Sequence, residues 1–285
     1  MSDLLEIGQS TFADRYGVAP VAVRHHLVGH PLLTVEMLAE LADELPPDKT
    51  EHNLGNISTV VADAEVPSLG VSAGEVARTI ESSRSWLILR NIEIVPRYKA
   101  LLDACLDEVE PLVGRREGPM EGREGFVFLS APNSVTPSHF DPEHNFLLQI
   151  RGTKTMNVGQ FDDAAMEHRE LERYYGGGHS NMPSEPRDIV PFGLEPGDGI
   201  YLPPHAPHFV RNGPAVSVSL SITWRTAVTQ RRAVAYQANA RLRRMRLRPR
   251  PPGQNATADR AKEAAVLTNR ALSRRLSRVR RRAED

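Results

Sequence analysis

Apolar residues recur at three- and four-residue steps through much of the first 110 positions, the spacing of helices with one buried face. Thr34 to Leu45 places Met37, Leu38, Leu41 and Leu45 on one side, and Pro46-Pro47 stops the run. Ser72 with Glu75 forms a capping-box pattern ahead of a short helix reaching to about Ser83. Trp86 to Leu89 is a compact apolar run suited to a buried strand. Pro96 then opens another helix that buries Leu101, Leu102, Cys105, Leu106 and Val109, with Pro111 expected beyond its end.

Between Gly125 and Trp224 the texture changes to short strands broken by proline, glycine and asparagine. Phe126–Ser130, Asn145–Arg151, Thr153–Gly159, Gly199–Leu202, His208–Arg211 and Ala215–Trp224 all read as extended. Val216, Val218, Leu220 and Ile222 alternate with Ser217, Ser219, Ser221 and Thr223, so the last strand has one wet or pocket-facing side. Strands this short and this close together predict a sandwich or barrel. The stretch from Asp162 to Arg187, with its Tyr-Tyr-Gly-Gly-Gly run, interrupts them as an insertion, for which a mobile lid is one use.

After Trp224 the pattern turns helical again. From about Thr226 to Leu247, Val228, Ala235 and Leu242 recur every seven residues, with Ala238 and Met245 on a second seam position. Pro249, Pro251 and Pro252 break that helix, and a second amphipathic one follows with Ala261, Ala264, Ala265, Leu272, Leu276 and Val279 on its stripe. The expected division is a supporting region at 1–124, a strand-rich core at 125–224 and a helical tail at 225–285.

Composition narrows the class. A chain of 285 residues with 40% hydrophobic and 25% charged positions is that of an ordinary globular protein with a sizeable core. No apolar run is long enough to span a bilayer, so no membrane partner is expected, and Met1–Ser10 lacks the basic start of a secretory signal. Cys105 is the single cysteine, which excludes a disulfide scaffold or a cysteine-rich zinc module and suits a cytoplasmic setting. The net charge of −1 conceals an asymmetry. From Arg225 onward there are 18 lysines and arginines against 4 acids; the remainder holds 17 against 32, a balance of −15. Such a tail suits an anionic partner, either a nucleic acid or the acidic body of another copy.

The candidate chemistry begins at His139-Phe-Asp141. Residues two apart on an extended chain point the same way, so an imidazole and a carboxylate can grip one ion. A third ligand must come from elsewhere, and Tyr201-Leu-Pro-Pro-His205-Ala-Pro-His208 offers two histidines on another strand. Two histidines and one carboxylate on one face of a metal leave three positions open, the arrangement of non-haem iron(II) oxygenases, and without thiolate they suit iron or manganese better than structural zinc.

Three segments carry a resemblance: Thr136-Pro-Ser-His139-Phe-Asp141, Asn145-Phe-Leu-Leu-Gln-Ile-Arg-Gly152-Thr-Lys154, and Pro196-Gly-Asp-Gly-Ile-Tyr-Leu-Pro-Pro-His-Ala-Pro-His208. Together they resemble the cupin-like JmjC oxygenases, among them the asparaginyl hydroxylase that inhibits hypoxia-inducible factor. The resemblance is specific from about Phe126 to Trp224. It implies a mainly β core, a double-stranded β-helix or jelly roll, flanked by N-terminal and C-terminal α-helices. It implies an iron(II)- and 2-oxoglutarate-dependent enzyme that uses dioxygen, a hydroxylase before an N-demethylase, releasing succinate and carbon dioxide. The substrate class stays open between a protein side chain and a small metabolite.

Carried over by position, the resemblance makes His139, Asp141 and His208 the iron ligands and leaves His205 as a pocket-lining or surface residue. His144 is expected behind the ligands or at the surface. Lys154 matches the lysine that holds the far carboxylate of 2-oxoglutarate, and Thr136 a hydroxyl on the same group, although it faces inward with His139 only if the chain kinks near Pro137. Asn145 matches a polar residue near the iron-bound end of the cosubstrate. Thr223 stands where the asparaginyl hydroxylase has an asparagine, a shorter group with fewer hydrogen bonds. Relatives dimerise through C-terminal helices, so a homodimer is expected, with nucleic acid the less favoured partner. The alternative from another class is a non-catalytic cupin-like binding or regulatory protein whose basic tail meets nucleic acid.

Overall fold

The computed structural model describes residues 3–54, 72–82, 85–255, 257–264 and 266. The chain divides into two compact units, Met1–Asp162 with Ser180–Thr226 and Asp163–His179 with Ala227–Asp285. The larger unit starts with β1 (Leu5–Glu6), α1 (Gln9–Arg15), β2 (Val21–His25), α2 (Val35–Glu44), β3 (Thr50–Leu54), α3 (Ala73–Arg78) and β4 (Ser85–Arg90). There follow α4 (Pro96–Glu117), β5 (Glu121–Ser130), β6 (Val135–His139), β7 (His144–Arg151) and β8 (Lys154–Gln160). It resumes with β9 (Arg187–Leu194), β10 (Asp198–Leu202), β11 (His208–Asn212) and β12 (Ser217–Arg225).

The helix signals in the sequence act where they stand. The Thr34 hydroxyl accepts from the Met37 backbone at 3.2 Å and starts α2, and the Ser72 hydroxyl accepts from Glu75 at 3.2 Å and starts α3. The expected end of α4 before Pro111 is corrected: the helix runs through the proline to Glu117. Proline forfeits one backbone hydrogen bond, but the last turns are held from outside. Val113 is fully buried, Glu110 accepts from the Met120 backbone, and Glu117 accepts from the Thr226 hydroxyl at 2.8 Å.

The strands form an eight-stranded sheet ordered β1-β2-β10-β7-β12-β5-β4-β3 and a four-stranded sheet ordered β6-β11-β8-β9. The outer face of the large sheet carries Val127, Leu129, Phe146, Leu148, Tyr201, Val218, Leu220 and Ile222 into the main core with Phe12, Leu38, Leu41, Leu102 and Leu106 of the helices. Its inner face meets the small sheet. Leu147, Ile200 and Leu202 from one side and Met156, Val158, Leu194 and Val210 from the other form a second apolar cluster. This is the mainly antiparallel, double-sheeted architecture of a cupin-like double-stranded β-helix with flanking helices.

The alternation of β12 now has its cause. The valine side enters the main core, and the serine side enters the barrel, where Ser217 and Ser219 lie within 3.0 and 2.6 Å of the Gln149 amide. That side is buried rather than wet.

In the smaller unit, Asp163 caps α5 (Ala164–Tyr175) by accepting from the Met166 backbone at 2.7 Å. This helix packs on α6 (Ala227–Arg244): His168 meets the Tyr236 hydroxyl at 2.7 Å, Tyr175 stacks on Tyr236, and Glu172 accepts from Asn239 and Arg243. The expected insertion is thus half helix, and its end is strand β9. Ala235 and Ala238 of the expected C-terminal stripe are buried, whereas Val228 and Met245 are 46% and 62% exposed. Ala265, Leu272, Leu276 and Val279 of the second stripe lie outside the described residues. Among the described residues, no helix is long and apolar enough to cross a membrane.

Candidate metal centre

His139 ends β6, His208 begins β11, and the two are direct partners across the ladder. Their rings stand 4.2 Å apart between centroids. Asp141, two residues beyond β6, reaches both. Its Oδ1 is 3.8 Å from Nε2 of His139 and its Oδ2 is 3.8 Å from Nε2 of His208. One ligand atom from each of the three lies within 4.8 Å of the others.

The tautomers are set by the backbone. Nδ1–H of His139 donates to the Pro137 carbonyl at 2.8 Å, and Nδ1–H of His208 donates to the Ala206 carbonyl at 2.9 Å. Each ring therefore turns a bare Nε2 lone pair toward the carboxylate, as a metal ligand requires. Burial pushes the His208 imidazole down to about 4, with the neighbouring His139 ring acting in the same direction. His208 is therefore a neutral donor in ordinary buffer.

Asp141 is braced from two sides. Its carbonyl accepts from the His205 backbone at 2.7 Å, and its Oδ2 accepts from Nδ2 of Asn145 at 3.4 Å. Asn145 is itself held, accepting the Ser221 hydroxyl at 2.8 Å. His205 adopts a left-handed backbone with φ of 67°, and its buried ring packs edgewise against Phe140. It stands outside the ligand cluster, and its backbone is the part that serves the site. Opposite, the Ser180–Met182 segment straps β6: Met182 N–H donates to Ser138 at 2.8 Å and Asn181 bridges His139.

The cosubstrate candidates separate. Lys154 is Cα partner of Asn212, four residues along β11 from His208, so it shares the inward face of the ligands. It is 6% exposed, and burial alone pushes its ammonium down to about 7. Thr136 joins that face through a bulge. His139 pairs with His208 and Thr136 with Val210, so three steps on β6 oppose two on β11, and the extra residue at Pro137-Ser138 restores the parity that strict alternation denies. Thr223 pairs with Asn145 on the inner face, with its hydroxyl 3.4 Å from the Glu124 carbonyl that it faces as donor.

His144 is neither behind the ligands nor at the surface. It lies on the outer face of β7, 1% exposed and sandwiched between Tyr16 and Trp224. Its Nδ1 meets the Tyr201 hydroxyl at 2.8 Å and its Nε2 lies 3.2 Å from Glu117. Sequence reasoning did not find Ser221, Gln149, Asn212 or the Ser180–Met182 strap. The serine alternation on β12 was a signal for the first; nothing marked the others.

Residues 122–231 match the JmjC domain family. The chain is 28% identical over 145 residues to JmjC domain-containing protein D of Dictyostelium discoideum, a match covering 47% of this chain and 31% of that protein. It thus spans about a third of that relative's length. The structure of E. coli ycfD is similar with a TM-score of 0.57 at 16% identity, covering 94% of this chain and 69% of that one. The E. coli ribosomal oxygenase YcfD gives 0.52 at 16% identity over 94% and 68%. A structure of that oxygenase with cobalt and succinic acid gives 0.51 at 16% over 93% and 67%.

Proposed function

We propose, from the premise that residues 122–231 form a JmjC domain, that this protein is an iron(II)- and 2-oxoglutarate-dependent oxygenase acting as a hydroxylase. One observation carries the reading: His139, Asp141 and His208 aim two bare Nε2 atoms and a carboxylate at one point, on the same inward face as the buried ammonium of Lys154. Two imidazoles and a carboxylate are a donor set for iron(II), and an ammonium held in an apolar barrel without a carboxylate partner among the described residues is a receptor for an anion. His139, Asp141 and His208 would hold the metal, Lys154 the far carboxylate of 2-oxoglutarate, and Thr136 and Asn145 would hydrogen-bond around it. With dioxygen, the bound iron and 2-oxoglutarate supply an oxidant for an unactivated C–H bond, releasing succinate and carbon dioxide.

The chain's own contribution is placement and exclusion of water. The Nδ1 contacts and the Ser221–Asn145–Asp141 chain fix the ligands before anything binds. Leu147, Met156, Val158 and Val210 close the barrel behind them. The cluster opens on the Asp141 side, where that side chain is 32% exposed against 4% for His208, so the substrate C–H bond approaches there. The substrate is a protein side chain or a small metabolite, and a ribosomal component is the first macromolecule to try, since YcfD is described as a ribosomal oxygenase.

Anaerobic reconstitution with iron(II), followed by 2-oxoglutarate and oxygen, tests the reading. Succinate should form, and His139→Ala and His208→Ala should abolish it. A wild-type chain that binds iron but forms no succinate, with or without candidate substrates, would favour a non-catalytic binding protein.

The helices beyond Trp224 join two copies in this proposal. Val228, Met245 and Leu247 are exposed apolar residues in or beside α6, and the rest of the chain carries the charge opposite to the basic tail. Light scattering should report a dimer; a monomer that binds DNA in a salt-sensitive manner would point to nucleic acid instead.

A further inference from the structure

Asn212 has a fixed amide orientation. Its Nδ2 donates to the carbonyl and to the hydroxyl oxygen of Ser134, both at 3.1 Å, and that hydroxyl spends its own proton on Ala131 at 2.8 Å. Two acceptors on one side leave Oδ1 on the other, buried and without a hydrogen-bond partner. The direct partner of Asn212 across the ladder is Lys154. Directly opposed side chains share a face and stand about 4.5–5.5 Å apart at Cβ. On its other side Lys154 pairs with Leu194, which is apolar, and no titratable group contributes to its depressed pKa. Among the described residues, an acceptor without a donor is therefore paired across the ladder with a cation without an acceptor.

An ammonium has three donors, and a carboxylate ligand engages two of them. An amide oxygen cannot face a carboxylate but can take the third proton. We propose that Asn212 is a positioning residue for Lys154: the two are not bonded in the structure, and a rotation of the lysine side chain lets Oδ1 accept one N–H of the ammonium, turning the other two toward the anionic end of the cosubstrate. The pairing favours the charged lysine in a place where burial opposes it. The assignment of that anion as 2-oxoglutarate rests on the function proposed above; the Asn212–Lys154 pairing does not.

The test uses the full chain with Asn212→Leu, which removes the acceptor at similar volume, and Asn212→Asp, which keeps the shape and adds a charge. Calorimetric titration of 2-oxoglutarate into the zinc-loaded, oxygen-free protein should show Asn212→Leu binding about tenfold more weakly at pH 7.5, with zinc affinity unchanged. Because the ammonium loses an acceptor, its pKa falls, and the pH above which binding fades should move down. Asn212→Asp should capture the ammonium itself and weaken binding at every pH. NMR of the labelled lysine in metal-free protein reads the same pKa without cosubstrate. A lower melting temperature in Asn212→Leu with the lysine titration unmoved would make Asn212 merely structural and overturn the proposal. If that variant fails to fold, wild-type-like binding by Asn212→Asp overturns it equally. If wild type binds no 2-oxoglutarate while Asn212→Leu still shifts the lysine titration, the pairing stands and the oxygenase reading falls.

Discussion

Replacing Lys154 with methionine should make the cosubstrate-free protein more stable, even as it removes the anion site. The ammonium titrates at about 7 in the fold against 10.5 in the open chain. Each unit of that gap is worth about 1.36 kcal/mol, so below pH 7 the buried charge costs about 5 kcal/mol. Between pH 7 and 10.5 the unfolded chain binds the proton that the folded one has shed, so wild-type stability climbs with pH. Above 10.5 both states are neutral and the penalty has gone. Methionine has similar length and no charge, so its advantage should be full at pH 6 and absent near pH 11. At about 2 °C per kcal/mol for a chain of this size, the melting temperature at pH 6 should rise by about 10 °C. Scanning calorimetry of the metal-free chain across pH reads it directly. A variant less stable than wild type at pH 6, or one whose gain is the same at every pH, would refute the claim that Lys154 is a buried charge without a counter-charge.

His208→Ala should abolish binding of cobalt(II) in a spectroscopic titration, while His205→Asn, which tolerates the left-handed backbone, should leave it near wild type; loss in both would mean that His205 is a ligand. Gly152→Ala should cost more than about 2 kcal/mol in a denaturant titration, since φ there is 68° and a Cβ would stand 2.3 Å from the Val216 carbonyl oxygen. Burial pushes the Glu117 carboxyl up, but hydrogen bonds from His144, Thr226 and Tyr16 outweigh it and hold it below the usual 4.5. A carboxylate depressed in the fold stabilises above its unfolded pKa and loses that contribution as pH falls. Glu117→Gln should therefore cost about 1–3 kcal/mol at pH 7 and flatten the loss of stability below pH 4.5; an unchanged acid limb would contradict this.

Spacing made most of the barrel legible. The serine–valine alternation of β12 marks two buried faces because its period of two survives whatever covers each side. His-Phe-Asp was readable because ligands two apart on an extended chain face one way, whereas the choice of His208 over His205 came only from the resemblance. What stayed hidden depends on long-range pairing. Pro111 looked like a helix end because nothing local shows that Glu110 and Glu117 are held by Met120 and Thr226. β6 went unseen because Pro137, Thr136 and Ser138 obscure its alternation. His144 was misplaced because only the fold stacks Tyr16 and Trp224 on either side of it. Asn212 carries no signal at all until Lys154 is set opposite.

The bulge at Pro137-Ser138 turns the distance between two residues into a gauge. In a regular strand, groups that serve one pocket are separated by even steps, whereas Thr136 and His139 are three apart. Deleting one residue between them would leave every functional side chain in the chain and yet turn Thr136 to the far side of the sheet. Tolerance to single-residue deletion should therefore be lost at 137 and 138, while substitutions that keep the count are absorbed. In sequences of this kind, an odd interval between two groups assigned to one pocket marks where the strand is kinked, before any coordinates exist.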